Sequence, residues 1–546
     1  MLYFLPLVFL LLFPVLLAIL NRRWQRLALY WFVLIGITLI SWLILLLARG
    51  QLPLSMSLLP RPTVDFPQSN PALLIDELSW PYGVALITFL LAVLLTDVIR
   101  TYITESGRNS RFQVTWWSWI IAMAYTGLGL AAMLAGNLPT LVLGWAALDM
   151  TELTVRLVRH NHDEELHSAI RIFSIRALGI LCALIGVIYL NSTGIPPDFS
   201  SLNPQVSFWL YLAVGLRLAV LPFHVSTPRQ QLFPHNLETI FLYVPAGASL
   251  VILSRMASIA SIPTASTIII LLTVAAGLLG GLSWMITKGF LASHPAWIAA
   301  AASLSMISAI FLQPDASLSW GLAMLLFGGL LALYTAKHKI INYFLLAAFI
   351  GLTALPFTAS WAGILVYYSQ ASNVLPQALI VFAMILIPLI HTSLVVGAAR
   401  RLLLSQPVNY GLERWIWWIY ALGLLIIPLT GVLLAWLAGL WNAVSQASLT
   451  LVQASIPGFV IVILTLTALF IYWRGVRTPH WVSAAIEWLL NPVWLYRLIQ
   501  GFYWLASLTV KTTDRVLEGA GGILWTLLLI TLLASLIIQI ALQTGQ

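Results

Sequence analysis

The hydrophobic positions of this chain neither alternate at strand spacing nor form the narrow stripe of a surface helix. They run on for about 18 residues or more, repeatedly, from one end of the sequence to the other. Sixteen such runs are predicted as spans: 2–20, 28–48, 80–98, 115–135, 138–156, 169–190, 206–226, 237–257, 264–287, 295–312, 317–336, 341–368, 376–398, 415–438, 457–473 and 521–542. In lipid every backbone N–H and C=O must be bonded internally, so long apolar runs without alternation form helices. The expected fold class is an all-α polytopic membrane protein of about 16 transmembrane helices.

Composition agrees. Of the 546 residues 61% are hydrophobic and 8% charged, against about 25% charged in soluble domains. That excludes a soluble globular chain and a disordered one. Cys182 is the one cysteine, so neither an internal disulfide nor a thiolate metal cluster is available. A formal charge of +9 calls for no nucleic-acid partner, because membrane proteins concentrate Lys and Arg in their inner loops.

That rule also tests the span count. With the N-terminus outside, 21 of the 26 basic residues fall on the inner side. Arg49, Arg61 and Arg255 fall outside, and Arg176 and Arg217 fall within spans. Both termini then face outward from a cell (inner) membrane. Residues 1–20 lack a basic leader and a small-residue cleavage site, and read as the first span rather than a removable signal. The stretch 474–520 is neither span nor short loop. It mixes Trp488, Leu490, Trp494 and Trp504 with Glu487, Arg497 and Gln500, and reads as an amphipathic helix along the membrane surface.

A charge at membrane depth costs roughly 2.5–3.5 kcal/mol, so each one needs a reason. Arg217 lies five residues before Pro222, which should break the seventh helix. Broken helices at the midplane are typical of ion sites in transporters. Arg217 is either a fixed positive charge beside an ion path or a structural partner of a carboxylate. Asp149 and Glu152, three residues apart, share one face of the fifth span. They read as a proton or cation site, with Asp149 paired to Arg217, or as salt bridges to Arg156 or Arg176. His224 either carries protons at the break or caps freed carbonyls. His391, near Pro388, reads as a core histidine, and Glu238 as a charge favouring its helix N-terminus. His160, His162 and His167 fit no metal spacing and read as part of a solvated loop. Gly277 and Gly281 form a GxxxG that reads as internal helix packing. No Walker loop, dinucleotide fingerprint, haem motif or hydrolase triad occurs, so no cofactor and no catalytic site of the chain's own is expected.

The order of these features resembles the antiporter-like subunits of respiratory complex I, most closely the subunit-5 type, with relatives in Mrp antiporters, membrane-bound hydrogenases and an inorganic-carbon uptake system. Residues 137–145 (NLPTLVLGW) look like the start of that family's fifth helix, and 217–224 like its broken seventh helix. Residues 288–294 (KGFLASH) resemble a turn of the family, and 352–361 (LTALPFTASW) its second broken helix. Pro222 and Pro356 would be repeat-related breaks. The resemblance implies spans 1–3 in 1–114, two inverted five-helix repeats over 115–257 and 264–398, spans at 415–473, a lateral helix over 474–520 and an anchor span in 521–546.

The departures bear on function. The family's glutamate of the fifth helix is Ala146 here, with Asp149 one turn on, and its lysine of the seventh helix is Arg217. No histidine occurs in 237–247, no charge in 325–335, and Gly363 or Ile364 stands where the second broken helix carries its charge. The resemblance therefore implies a membrane-arm subunit of an NADH:quinone oxidoreductase-like assembly with an eroded relay, acting as scaffold or partial ion channel. Its partners would be other membrane subunits, lipid, and protons or monovalent cations. The other readings are a cation/proton antiporter and a membrane partner of inorganic-carbon uptake.

Overall fold

A computed structural model describes residues 2–20, 27–58, 70–99, 116–159, 163–224, 233–259, 265–287, 293–335, 339–368, 376–403, 413–447, 449–473, 501, 504, 508 and 531. The chain divides into two units, Met1–Ile486 and Glu487–Gln546. Within the second unit Gly501, Trp504, Leu508 and Thr531 are described, all helical. The expected surface helix over 474–520 and last span over 521–542 otherwise lie outside the described residues.

The first unit is a helical bundle. Its helices are α1 (Leu5–Leu20), α2 (Leu27–Leu47), α3 (Ser79–Thr96), α4 (Trp116–Met133), α5 (Leu138–Arg159), α6 (Asp163–Ser192), α7 (Pro204–Arg217) and α8 (His235–Ser258). They continue with α9 (Ser266–Ile286), α10 (His294–Ile310), α11 (Pro314–Leu333), α12 (Lys339–Ile350), α13 (Gln377–Leu403), α14 (Arg414–Leu437), α15 (Leu440–Gln446) and α16 (Leu451–Trp473). Each of the first fifteen expected spans corresponds to a helix here, α15 being an added short one. Ten helices among the described residues are long and apolar enough to cross a membrane. The sequence pattern missed a two-stranded antiparallel ribbon, β1 (Leu54–Ser57) with β2 (Ala72–Ile75), in register Leu54 to Ile75.

Helices α3, α10 and α11 are buried along their length and form the centre. Their small residues and serines let helices approach closely where lipid supplies no hydrophobic drive. Helices α1 and α16, by contrast, leave many leucines and isoleucines uncovered, as lipid-facing helices do. The four residues between α4 and α5 suffice for a turn because Asn137 caps α5. Its Oδ1 accepts from the Thr140 amide at 3.0 Å, and its amide donates to the Asn70 carbonyl at 2.6 Å.

Two helices are interrupted. Helix α7 starts at the cap Asn203, whose Oδ1 accepts from Val206 N at 2.9 Å, and ends at Arg217. The chain then folds back on itself, with the amides of Val220 and Leu221 both donating to the Gly215 carbonyl at 2.8 and 3.0 Å. A side chain at Gly215 would meet Leu221 at 2.6 Å, so only glycine permits this return. Ala219 takes the left-handed conformation (φ 60°), and Pro222 offers no N–H to continue the helix. Helix α12 likewise ends at Ile350. Turns over 351–360 carry Ala354 (φ 54°), Pro356 and Phe357 (φ 63°), and a 3-10 helix, Trp361–Tyr368, follows.

Candidate functional site

Helix α5 is amphipathic in reverse. Its buried face holds Leu141, Trp145, Leu148, Asp149, Glu152 and Arg156, spaced at helical period, while Leu143, Met150 and Val158 face outward. A helix in lipid turns its charges inward because the protein interior can pair them and lipid cannot. The neighbouring α6 follows the same rule, with Leu178, Leu181, Ile185 and Ile188 outward and Arg176 inward.

These faces meet the end of α7 and the start of α8 in a chain of alternating charges. Arg217 clamps Asp149 with both guanidinium nitrogens, Nη1 to Oδ2 at 2.5 Å and Nη2 to Oδ1 at 3.2 Å. Its Nε donates to Ser249 Oγ at 3.2 Å, and the guanidinium lies 4.5 Å from the Trp145 ring centre. Arg176 approaches Asp149 Oδ1 at 3.8 Å and bonds Glu152 Oε2. Glu152 also accepts from Tyr125 at 3.0 Å and from Arg156 Nε at 2.9 Å. Arg156 then holds both oxygens of Glu238, at 3.2 and 3.0 Å, with the faces of Phe233 and Phe241 beside it. Three cations thus alternate with three anions and the cluster sums to zero, the condition on which buried charges are tolerated.

Close approach of α6 makes room for Arg217. A side chain at Gly179 would meet both the Ala213 carbonyl oxygen and Arg217 Cγ at 2.9 Å. On the other side of the cluster is a cavity of about 90 Å³ lined by Glu152, Arg156, Arg176, Arg217, His224 and Glu238, among others. A water needs only about 15 Å³ and two to four polar partners, so both room and partners exist for several. His224 faces this cavity, with its Nδ1 at 2.8 Å from the Pro222 carbonyl oxygen.

The structure therefore joins Asp149 to Arg217 directly and links Glu152 to them through Arg176. It sets His224 across the cavity and Pro222 in the turn after the break. Pro356 lies in the other break. Glu238 does lie in the first turn of α8, as its position in the sequence suggested, and its carboxylate is in addition the far partner of Arg156 in the buried cluster. The spacing of Glu238 from the break gave no sign of this, although a carboxylate in the first turn of an apolar run was itself a signal. Arg255 is likewise buried in the last turn of α8, 3.1 Å from Asp76. Among the described residues no group of three or more His, Cys, Asp or Glu could hold a metal ion. Of the three histidines read as part of a loop, His160 and His162 lie outside the described residues, and His167 is corrected to the first turns of α6, which starts at Asp163.

The second break holds a titratable side chain that does not come from the broken helix itself. Gly363 is uncharged and packs against Trp320. A titratable side chain reaches the break from the next helix instead. His391 of α13 is 1% exposed, with Nε2 2.6 Å from the Leu352 carbonyl oxygen and Nδ1 3.0 Å from the Tyr367 hydroxyl.

No protein-family model matches the sequence, and no curated protein sequence matches it. Solved structures do. The chain aligns with a chain of the Mrp complex from Dietzia sp. DQ12-45-1b at a TM-score of 0.73 and 15% identity, covering 98% of this chain and 63% of that one. A chain of the membrane-bound sulfane sulfur reductase, an archaeal respiratory membrane complex, aligns at 0.64 and 15%, covering 97% and 99%. A chain of respiratory complex I from Thermus thermophilus with bound aureothin aligns at 0.57 and 17%, covering 78% and 97%. This chain thus spans somewhat under two thirds of the Mrp chain it matches. With its two broken helices, it shares the fold of the chains it aligns with in these three membrane complexes.

Proposed function

We propose that the chain is a membrane-arm subunit of a complex I-like assembly, a proton-translocation-type module that serves as scaffold or partial ion channel. Helices α4 to α8 and α9 to α13 form its two repeats, each with the fourth helix interrupted. In this reading the chain sits in a cell (inner) membrane beside other membrane subunits with both termini facing outward, an orientation that the excess of Lys and Arg on the inner side supports. One observation carries the reading: a polar cavity lies against a neutralised chain of six charges at the break after α7. Arginine does not release its proton, so Arg217 acts there as a fixed charge. It holds Asp149 and sets the field for protons carried by other groups.

The test is extraction of the tagged protein from its native membrane, mass spectrometry of its companions, and proton-coupled activity of the assembly with Arg217→Ala. Other antiporter-like subunits together with iron–sulfur or flavin proteins, and a sharp fall of activity in an intact assembly, are expected. An assembly unchanged in both composition and activity by Arg217→Ala would refute the ion-path role. The alignment with the Mrp chain, at a TM-score of 0.73, favours a second reading as a cation/proton antiporter. That reading predicts sodium-dependent proton movement and no redox companions.

A further inference from the structure

We propose that His391, with Tyr367 as its hydroxyl partner, is the proton-accepting group of the second break. The inference rests on the translocation reading above. A carbonyl oxygen only accepts, so the 2.6 Å bond to Leu352 O places the hydrogen of the neutral ring on Nε2. Nδ1 is then the lone-pair nitrogen and takes the Tyr367 O–H at 3.0 Å. The ring is held at both nitrogens and has one tautomer, with one basic site aimed at one hydroxyl. Trp320 stands edge-to-face at 4.7 Å, itself fixed by a 3.1 Å bond from its Nε1 to the Gly363 carbonyl.

The geometry permits a balanced exchange. A proton reaching the Tyr367 oxygen releases that hydroxyl's own proton to Nδ1, and the imidazolium holds one proton more than before. The reverse passage restores the neutral ring, and the bond to Leu352 O persists throughout. The same bond also ties down a carbonyl that the break leaves without a helical partner, so a purely structural role is the rival account.

Glutamine separates the two. Its amide donates to Leu352 O and its carbonyl accepts from Tyr367, but it does not exchange protons. The native assembly carrying His391→Gln, His391→Ala or Tyr367→Phe is reconstituted in liposomes, and proton flux is read with an entrapped pH dye. The expected result is at least a tenfold loss of flux with His391→Gln and with Tyr367→Phe at wild-type assembly, and loss of assembly as well with His391→Ala. Wild-type flux with His391→Gln leaves the translocation reading standing and overturns this one in favour of the structural role. Should His391→Gln fail to assemble, Tyr367→Phe decides: lost flux supports the proposal, and wild-type flux overturns it. A wild-type assembly that moves no protons removes the translocation reading and this inference with it.

Discussion

Replacing Asp149 with Asn keeps the shape of the side chain and removes its charge. The carboxylate is 1% exposed and the Arg217 side chain 0%, so water does not reach in to compensate. Arg217 would keep Ser249 at 3.2 Å and the Trp145 face, but one of its two bonds to residue 149 would be lost and the other would no longer end on a negative charge. The cluster would move from zero net charge to one excess positive charge. Breaking one partner out of a buried pair costs about 3–5 kcal/mol. Arg217→Met, which strands Asp149 with Arg176 at 3.8 Å, should cost a similar amount. The double variant Asp149→Asn with Arg217→Met removes both charges together. Well-packed replacement of a buried pair is often neutral, so the double variant should lose less than either single one. The assay is a double-variant cycle on the purified protein, with the fraction folded followed by circular dichroism during titration of mixed micelles with denaturing detergent. A coupling of at least about 3 kcal/mol is expected, because each single change costs that much and the double one less. Independent sites add to within about 0.5 kcal/mol, and additivity of that quality would refute the claim that the two charges are held by one another.

Two further substitutions test the frame around this pair. Gly179→Ala should push α6 away from α7 and displace Arg217, because its Cβ has 2.9 Å to both the Ala213 carbonyl oxygen and Arg217 Cγ. A loss of about 1–3 kcal/mol in the same titration is expected, with Ser174→Ala on the exposed face of α6 as the neutral control. Ala219→Gly should raise stability by about 0.5–1 kcal/mol, since the left-handed backbone at φ 60° costs alanine and not glycine. A fall in stability would place the origin of the break elsewhere than in the turn around Ala219.

Much of the bundle was legible in the order of residues, for a physical reason. Each span must satisfy its own backbone, so a membrane helix announces itself locally, and its ends follow from charge and proline. The ribbon of β1 and β2 was not, since four-residue strands between spans carry no period strong enough to read. At the site, Asp149 and Arg217 stood out because charge at membrane depth is costly wherever it occurs. Their partners depended on three dimensions. Glu152 lies within reach of both Arg156, one turn along α5, and Arg176, on the facing helix α6. Glu238 is 82 residues from the arginine that binds it. His391 stood out as a core histidine, but its place at the second break also depended on three dimensions, because this side chain enters the break from α13.

Arginine at 217 changes what the break after α7 can do. A lysine there would release its proton when its carboxylate partner moved away, and the pair would then be both lock and carrier. Arg217 keeps its proton under any field the protein generates, as do Arg156 and Arg176. Each of the three carboxylates between them is already compensated, and Asp149 and Glu238 are gripped by two nitrogens of one guanidinium. A proton added to any carboxylate therefore removes the charge that compensates its arginine, at a cost comparable to breaking the pair. His224 and water in the 90 Å³ cavity are the groups beside the cluster free of that constraint by chemistry. On the translocation reading proposed above, protons pass this half along the cavity and not through the cluster, whose contribution is the field of six fixed charges. The second break differs in kind, because its histidine is neutral and bonded at both nitrogens, and no salt bridge has to break before it accepts a proton.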